Sequence, residues 1–422
     1  MKRLIALVPV FVLLAGCATA APPSIDAENS NADGAAEPAA ESAAPEENLA
    51  GCVEDYTEGV DYFPEKAEIT DADNFSVAYF DHYKVVTVLD AFDGAEAFSY
   101  VLVQCGTPAP EAAEFPEGTQ FIEVPADDMV AMSTTQLPHL TVLGLLDRLV
   151  GVDNFLFISS PEVQALIDEG ALVEVGSGAD VNIEQVLDLD PDLVMTFGFD
   201  PDTDAHPILI DAGISTALNA EWREDDPLAR AEWIKYTALF FNAEAEAETA
   251  YADIASAYES ARELAASVPA EEQPVVLWNS FSPFAEAGVI PGAETFVGAL
   301  ITDAGGQIAL TEEAPGDSAL LSFETVYANA LDADIWVANS FTAVTLDDLL
   351  AEDPRYVDFE AVQDGEVWND TGDVNANGGN NYYELGVTNP HLILRDLIAI
   401  FHPELLPDHS FNFYVQLEPA GE

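Results

Sequence analysis

Residues 243–267 carry the longest helical pattern in the chain, and any fold must accommodate it. Ala247, Ala250, Tyr251, Ile254, Ala257, Tyr258, Ala261 and Leu264 recur at i, i+3, i+4 spacing, and the opposite face is rich in Glu. At 1.5 Å per residue the segment reaches roughly 35 Å, about the diameter of a small domain. Pro269 and Pro274 mark its end.

Strands and helices alternate on both sides of this segment. Before it, Phe75–Phe80 and Tyr83–Leu89 read as a hairpin. Tyr100–Val103, Val130–Ser133, Phe155–Ile158, Leu193–Phe197 and Ile214–Leu218 read as further strands. Helices are expected over His139–Leu149, Glu162–Glu169, Ile183–Leu189 and Leu228–Phe241, with Pro227 suited to a first turn. After it come a strand at Val275–Trp278, a loop at Asn279–Gly292, and a helix at Glu294–Asp303. A helix at Phe323–Leu331, strands at Ile335–Ala338 and Glu366–Asn369, and a closing helix at Pro390–Phe401 complete the pattern. This alternation predicts an α/β sheet with helices on both faces. A weak internal repeat points to two equivalent lobes. Asn182-Ile183-Glu184-Gln185-Val186 precedes Asp192-Leu193-Val194-Met195, and Ser322-Phe323-Glu324-Thr325-Val326 precedes Asp334-Ile335-Trp336-Val337. Each reads as a polar cap, a short helix, an Asp and a buried strand, and the Glu in each first turn suits the helix dipole.

The N-terminus predicts export. Met1-Lys2-Arg3 leads into an apolar run from Leu4 to Ala15 that is too short to span a bilayer. Leu14-Ala15-Gly16-Cys17 resembles the bacterial lipobox, in which cleavage precedes the Cys and its thiol takes diacylglycerol. An ordinary secretory signal with a chance Cys17 is the alternative, and it too implies export. Residues 1–16 are read as the signal. Residues 17–50, built of Ala, Pro, Glu, Ser and Asn, are read as a disordered acidic tether that buries too little surface to offset its chain entropy. Loss of Lys2 and Arg3 leaves nine basic residues against 78 acidic ones, a net charge of −69. That balance argues against nucleic acid and anionic lipid surfaces as partners. It fits a saline habitat, where salt screens self-repulsion. Cys52 and Cys105 remain in the exported chain. An even pair in an oxidising compartment suggests one disulfide, with two buried free thiols as the alternative.

Several stretches carry a family resemblance. Ser133-Thr134-Thr135-Gln136-Leu137-Pro138-His139-Leu140 is similar to the Thr-rich loop before the first-lobe helix of class III solute-binding proteins of ABC importers, the group serving siderophores, haem and cobalamin. Asn182 to Met195 resembles that family's N-x-E-x-(I/V) stretch. Pro227 to Phe240 and His402 to His409 resemble its ferric-iron subgroup. Together these stretches span most of residues 75–415. The resemblance implies two Rossmann-like lobes joined by a single long α-helix, with a ligand cleft between them. The boundaries follow as an N-terminal lobe at 51–242, a linking helix at 243–268 and a C-terminal lobe at 269–422. It implies no enzymatic activity and no cofactor. It also implies a monomer held to the membrane only by its lipid, whose partners are a ferric-siderophore-like ligand and a permease dimer with its ATPase. By motif position, Glu184 and Glu324 are the carboxylates that meet permease arginines.

Candidate ligand contacts come from loops after strands, where a bulky chelate meets aromatic walls and a few polar anchors. Ser133, Thr134 and Thr135 offer hydroxyls. Trp222 and Arg223 follow the Ile214–Leu218 strand, and Trp278, Phe281 and Phe284 follow the first strand of the second lobe. Tyr382 and Tyr383 end a Gly- and Asn-rich loop. Trp278 and Trp222 also suit a core, and Arg223 also suits a structural ion pair. The shortage of cations favours a neutral or hydroxamate-like chelate. Cobalamin or haem is the alternative ligand. A free metal ion is a further alternative, held in a related group of zinc and manganese binders by three His and a carboxylate in the cleft; of His82, His139, His206, His391, His402 and His409, only His139 and His206 lie near expected cleft loops. A carboxylate-based hydrolase is the enzymatic alternative, but no Gly-x-Ser-x-Gly, His-Glu-x-x-His or Walker pattern is present.

Overall fold

The computed structural model describes residues 44–282 and 287–420. Cys17, the signal and most of the tether, together with Phe284, lie outside the described residues. Four sheets organise the rest. β1 (Phe75–Tyr79), β2 (Tyr83–Val88) and β3 (Phe98–Gln104) are antiparallel, and β4 (Gln120–Val124) joins β3 in parallel. A five-stranded parallel sheet follows, with β5 (Met129–Ala131), β6 (Leu149–Val152), β7 (Val173–Glu174), β8 (Leu193–Thr196) and β9 (Thr216–Leu218) in the order β7-β6-β5-β8-β9. β5 and β8, at its centre, are buried at every residue, as strands covered on both faces must be.

The second half builds another five-stranded sheet. β10 (Val275–Trp278) precedes a small antiparallel sheet of β11 (Ser280–Ser282), β12 (Ala287–Ile290) and β14 (Ala319–Ser322). β13 (Gln307–Ile308), β15 (Ile335–Val337), β16 (Val367–Asn369) and β17 (Val415–Gln416) complete the main sheet in the order β13-β10-β15-β16-β17, with only β17 antiparallel. In each main sheet the strand order reverses beside the first strand, between β5 and β8 and between β10 and β15. Such switch points leave a crevice at the carboxyl ends of the strands.

Helices cover these sheets. They are α1 (Leu137–Leu143), α2 (Pro161–Asp168), α3 (Ile183–Leu189), α4 (His206–Asp211), α5 (Pro227–Ala231) and α6 (Trp233–Leu239) in the first half. α7 (Glu244–Ala265) follows, then α8 (Phe296–Asp303), α9 (Phe323–Asn329), α10 (Leu346–Glu352), α11 (Glu360–Asp364) and α12 (Pro390–Phe401). α7 is the long helix that the periodicity predicts. Its N-terminal half gives Ala247, Tyr251 and Ile254 to the core around the first parallel sheet. Its C-terminal half gives Tyr258, Ala261 and Ala265 to the core containing Val276, Ile335 and α12.

Four sequence expectations are corrected. The helix from His139 stops at Leu143, because Gly144 turns left-handed at φ 70°, and Leu149 opens β6 instead. Phe155–Ile158 is a loop. There Asn154 Oδ1 accepts from the Leu156 amide at 2.7 Å and Glu174 accepts from that of Phe155 at 2.9 Å, which draws the backbone out of the sheet. Leu228–Phe241 is two helices broken at Glu232, a fully buried residue. Its carboxylate takes the amides of Thr70, Asp71 and Ala72 from the chain before β1. Asn279–Gly292 contains β11 and β12 rather than a loop.

The β1–β4 sheet is tied to the helices by buried charge. Lys84 and Glu244 are both fully buried, and Lys84 Nζ lies 2.7 Å from Glu244 Oε1. The ammonium also donates to the Leu239 carbonyl at 2.6 Å and to Asn242 Oδ1 at 3.0 Å, so all three of its protons are used. Cys52 and Cys105 are joined as a disulfide at the end of β3, closing a separation of 53 residues.

Candidate functional site

At the first switch point, Ser133 ends the turn after β5. Its Oγ accepts from the Thr135 amide at 3.3 Å and lies 3.0 Å from Thr135 Oγ1. Gln136, fully buried, accepts from the Met132 amide and donates to the Thr196 carbonyl, which fastens this turn to β8. Ser133, Thr134 and Thr135 are therefore half-buried hydroxyls on a fixed turn at the carboxyl end of β5. Beside them, β8 runs into Phe197 and Phe199, both exposed, the latter at 69 %. The buried Asp204 carboxylate holds that loop by accepting from the amides of Phe199 (2.7 Å) and Asp200 (3.0 Å). Trp222, after β9, brings its ring to 6.0 Å from that of Phe199.

The second lobe offers a matching set. Phe341, after β15, is 79 % exposed, and its ring stacks with that of Tyr383 at 6.5 Å. The Tyr383 hydroxyl donates to Asp370 at 3.0 Å and accepts from Asn339 Nδ2 at 3.3 Å, so the ring is held by its polar end. Asn279, at the end of β10, is buried, and neither of its amide atoms has a partner among the described residues. Solvent-exposed aromatic side chains thus stand at strand carboxyl ends in both lobes, an arrangement suited to a large, partly apolar ligand.

Loops at the carboxyl ends of the two sheets touch. The loop after β16 reaches the loop after β6, where Glu384 accepts from the amides of Ser159 (2.7 Å) and Ser160 (2.9 Å). Asn375 Nδ2 donates to the carbonyls of Leu156 and Ile158. Gly379 passes so close to the Phe157 carbonyl that a Cβ there would collide with it. The carboxyl edges of both sheets therefore meet along one side. A separate groove of about 670 Å³ runs along α7, beside Val142, Ala250, Asp253 and His391.

The electrostatics are acidic. Burial pushes the Asp153 carboxyl up to about 6 and also raises Asp370, against the hydrogen bonds from Tyr383 and Asn339. Asp225 is raised by burial and by the negative charge of Asp317 and Glu294 from the second half. Arg223 is not open to a ligand, because Nη2 lies 2.5 Å from Asp90 and Nη1 lies 2.8 Å from Asp93.

The remaining expected residues divide. Trp222 and Tyr383 reach the site, the latter half-buried. Trp278 and Tyr382 do not, because both are buried in the core behind α12. Phe281 packs against Phe323 and Tyr356 on the other face of the second sheet. Phe197, Phe199 and Phe341 were missed, although each follows a buried strand that the sequence marks. Glu184 and Glu324 are both exposed, and neither completes its cap, since Asn182 and Ser322 do so by accepting from Gln185 and Thr325. Glu324 lies 3.6 Å from Arg355. The histidines are dispersed. His139 meets Thr237, His402 the Gly305 carbonyl and His409 Asp396, and among the described residues no three metal-ligating groups gather.

Residues 129–373 match the family described as periplasmic binding protein. An uncharacterised lipoprotein of Methanocaldococcus jannaschii is 25 % identical over 337 residues, covering 77 % of each chain. A solved structure of a possible iron-binding (periplasmic solute-binding) protein from Staphylococcus epidermidis superposes with a TM-score of 0.51 at 14 % identity, covering 66 % of this chain and 99 % of that one. A periplasmic heme binding protein from Pseudomonas aeruginosa gives 0.50 at 19 % identity, covering 70 % and 100 %. Both share the fold seen here.

Proposed function

Because the chain belongs to the periplasmic binding protein family, we propose that it is the extracytoplasmic substrate-binding component of an ABC importer, capturing a ferric siderophore or similar metal chelate for delivery to a permease. The family is one of solute binders rather than enzymes. The observation that carries the chelate reading is the pairing of rings, exposed Phe199 with Trp222 and exposed Phe341 with half-buried Tyr383, after strands of both lobes. Flat apolar faces contribute affinity against a chelate's organic shell, and the hydroxyls of Ser133, Thr134 and Thr135 orient its oxygens.

The lobes are taken as residues 51–242 and 269–422 with 243–268 between them, a division supported by the way α7 shares its residues between two cores. Cys17 is the lipidation site in this reading, and residues 17–50 are the tether. Glu184 and Glu324 are the docking carboxylates. Their exposure supports that role, and a permease arginine reaching Glu324 would compete with Arg355.

A thermal-shift screen against ferric hydroxamates, ferric catecholates, ferric citrate, haem and cobalamin tests the ligand class, since a ligand bound only by the folded state raises Tm. A rise with a ferric chelate is expected. A rise with cobalamin or haem alone would move the reading to that ligand. Delivery is tested by Glu184→Ala with Glu324→Ala, for which we expect chelate binding to persist and uptake to fall at least about tenfold. Unchanged uptake would remove the docking assignment.

A further inference from the structure

We infer that the loop between β2 and β3 is a charge filter for the cleft. Asp90 and Asp93 occupy the guanidinium of Arg223, so the site takes an uncharged or cationic chelate and rejects an anionic one. The inference rests on the chelate reading above and narrows it. Arg223 sits one residue after Trp222 in the turn following β9, with its guanidinium 5.2 Å from that ring. Without Asp90 and Asp93 it would be a cation at an aromatic wall, suited to a ligand carboxylate or catecholate. Both aspartates come from the β1–β4 sheet, which precedes the stretch matching the family.

The loop is built to hold Asp90 there, while Asp93 reaches Arg223 from an exposed position. Asn74 clamps the backbone of Asp90 on both sides, accepting from its amide at 2.7 Å and donating to its carbonyl at 2.8 Å. Phe92 packs where a Cβ on Gly198 would collide with its ring, so Gly198 lets the loop approach the end of β8. Phe92 also lies 5.5 Å from the ring of His206.

Among the described residues, seven of the eight other cations are already paired. Lys66, Lys84, Arg148, Arg230, Lys235, Arg262 and Arg355 all have a carboxylate within 4.0 Å. Arg395 lies on α12, which packs against α7. Asp153 and Asp370, which follow β6 and β16, and Asp225, which feels the charge of Asp317, therefore set the sign of the local potential, and an anionic ligand would be repelled on entry and desolvated without a partner.

The test compares Kd by calorimetry, at one ionic strength, for three probes: a neutral ferric trihydroxamate, a cationic ferric trihydroxamate carrying a free amine, and a trianionic ferric tris-catecholate. The wild type is expected to prefer the first two by at least about tenfold. Asp90→Asn with Asp93→Asn frees Arg223 and is expected to narrow that preference at least about tenfold in favour of the trianion. Adding Arg223→Gln to the double variant is expected to restore the wild-type preference. If the wild type binds the trianion as tightly as the neutral chelate, the filter is overturned while the chelate reading stands. If the triple variant keeps the gain for the trianion, Arg223 is not its agent and the inference is likewise overturned. If no probe binds any variant, the chelate reading itself falls, and this inference with it. Should the double variant fail to fold, the wild-type comparison still decides.

Discussion

Two ionisable side chains make opposite use of their surroundings. Lys84 is deprived of water, which lowers its pKa, and Glu244 raises it again by proximity and a hydrogen bond. Such a pair stabilises little on balance, yet removing one partner leaves an uncompensated charge. Lys84→Met should therefore cost about 3–5 kcal/mol in urea unfolding, and Lys84→Met with Glu244→Gln should recover more than half of that. Additive losses would contradict the coupling. Asp153 has no such partner, and burial, aided by the charge of Glu174 and opposed by backbone hydrogen bonds, raises its carboxyl to about 6. With the folded pKa above the unfolded one, the folded chain holds the proton that the unfolded chain has lost. Stability from this group is therefore full below the ordinary carboxylate range and declines as pH rises to about 6. Asp153→Asn removes the decline, so Tm should rise relative to wild type at about pH 7 but not at about pH 4. An equal change at both values would show that the charge is not the cause.

At the scale of elements, the contact between the loops after β6 and β16 fixes one side of the cleft. Glu384 is buried and accepts two backbone amides at the start of α2. Glu384→Gln replaces one acceptor oxygen with a donor facing an amide, which should cost about 1–3 kcal/mol. It should also enlarge the radius of gyration in scattering, because the lobes lose their latch. A lower Tm with an unchanged radius would make the contact structural only. This latch was not legible in the sequence, because it joins residues more than 200 positions apart and its acceptor is one Glu among many acidic residues. α7, α3 and α12 were legible to within a residue or two, because each carries its own signal: a helical period ended by Pro269 in α7, the Asn182 cap in α3, and Pro390 at the first position of α12. β11 and β12 were not, since strands of three and four residues, Ser280–Ser282 and Ala287–Ile290, are too short for alternation to separate them from a loop. At the site, the same limit applies. Sequence places residues after strands but not the side of the sheet they face, so Trp278 and Phe281 were expected in the cleft while Phe199 and Phe341 were overlooked.

For the whole molecule, the distribution of charge matters more than its total. The chain carries 78 acidic residues against 11 basic ones, and the cations in the folded part are almost all consumed by local carboxylates. The surplus is spread over the surface, as on α7, where Glu246, Asp253 and Glu263 are exposed. Among the described residues the exposed cations Lys66, Arg262 and Arg355 are each already paired with a carboxylate, so folding gathers like charges that the unfolded chain keeps further apart. Dissolved salt shortens the reach of that repulsion from about 10 Å at 0.1 M to about 3 Å at 1 M. Tm should therefore climb as KCl is raised from about 0.1 M to about 2 M, most steeply in the lower part of that range. Salt also strengthens apolar burial, so the slope alone does not isolate charge. Neutralising Glu246, Asp253 and Glu263 as Gln, Asn and Gln separates the two effects. If repulsion dominates, the variant has the higher Tm at low salt and converges with the wild type at high salt. Parallel curves would assign the salt response to burial and leave the acidic surface without a role in stability.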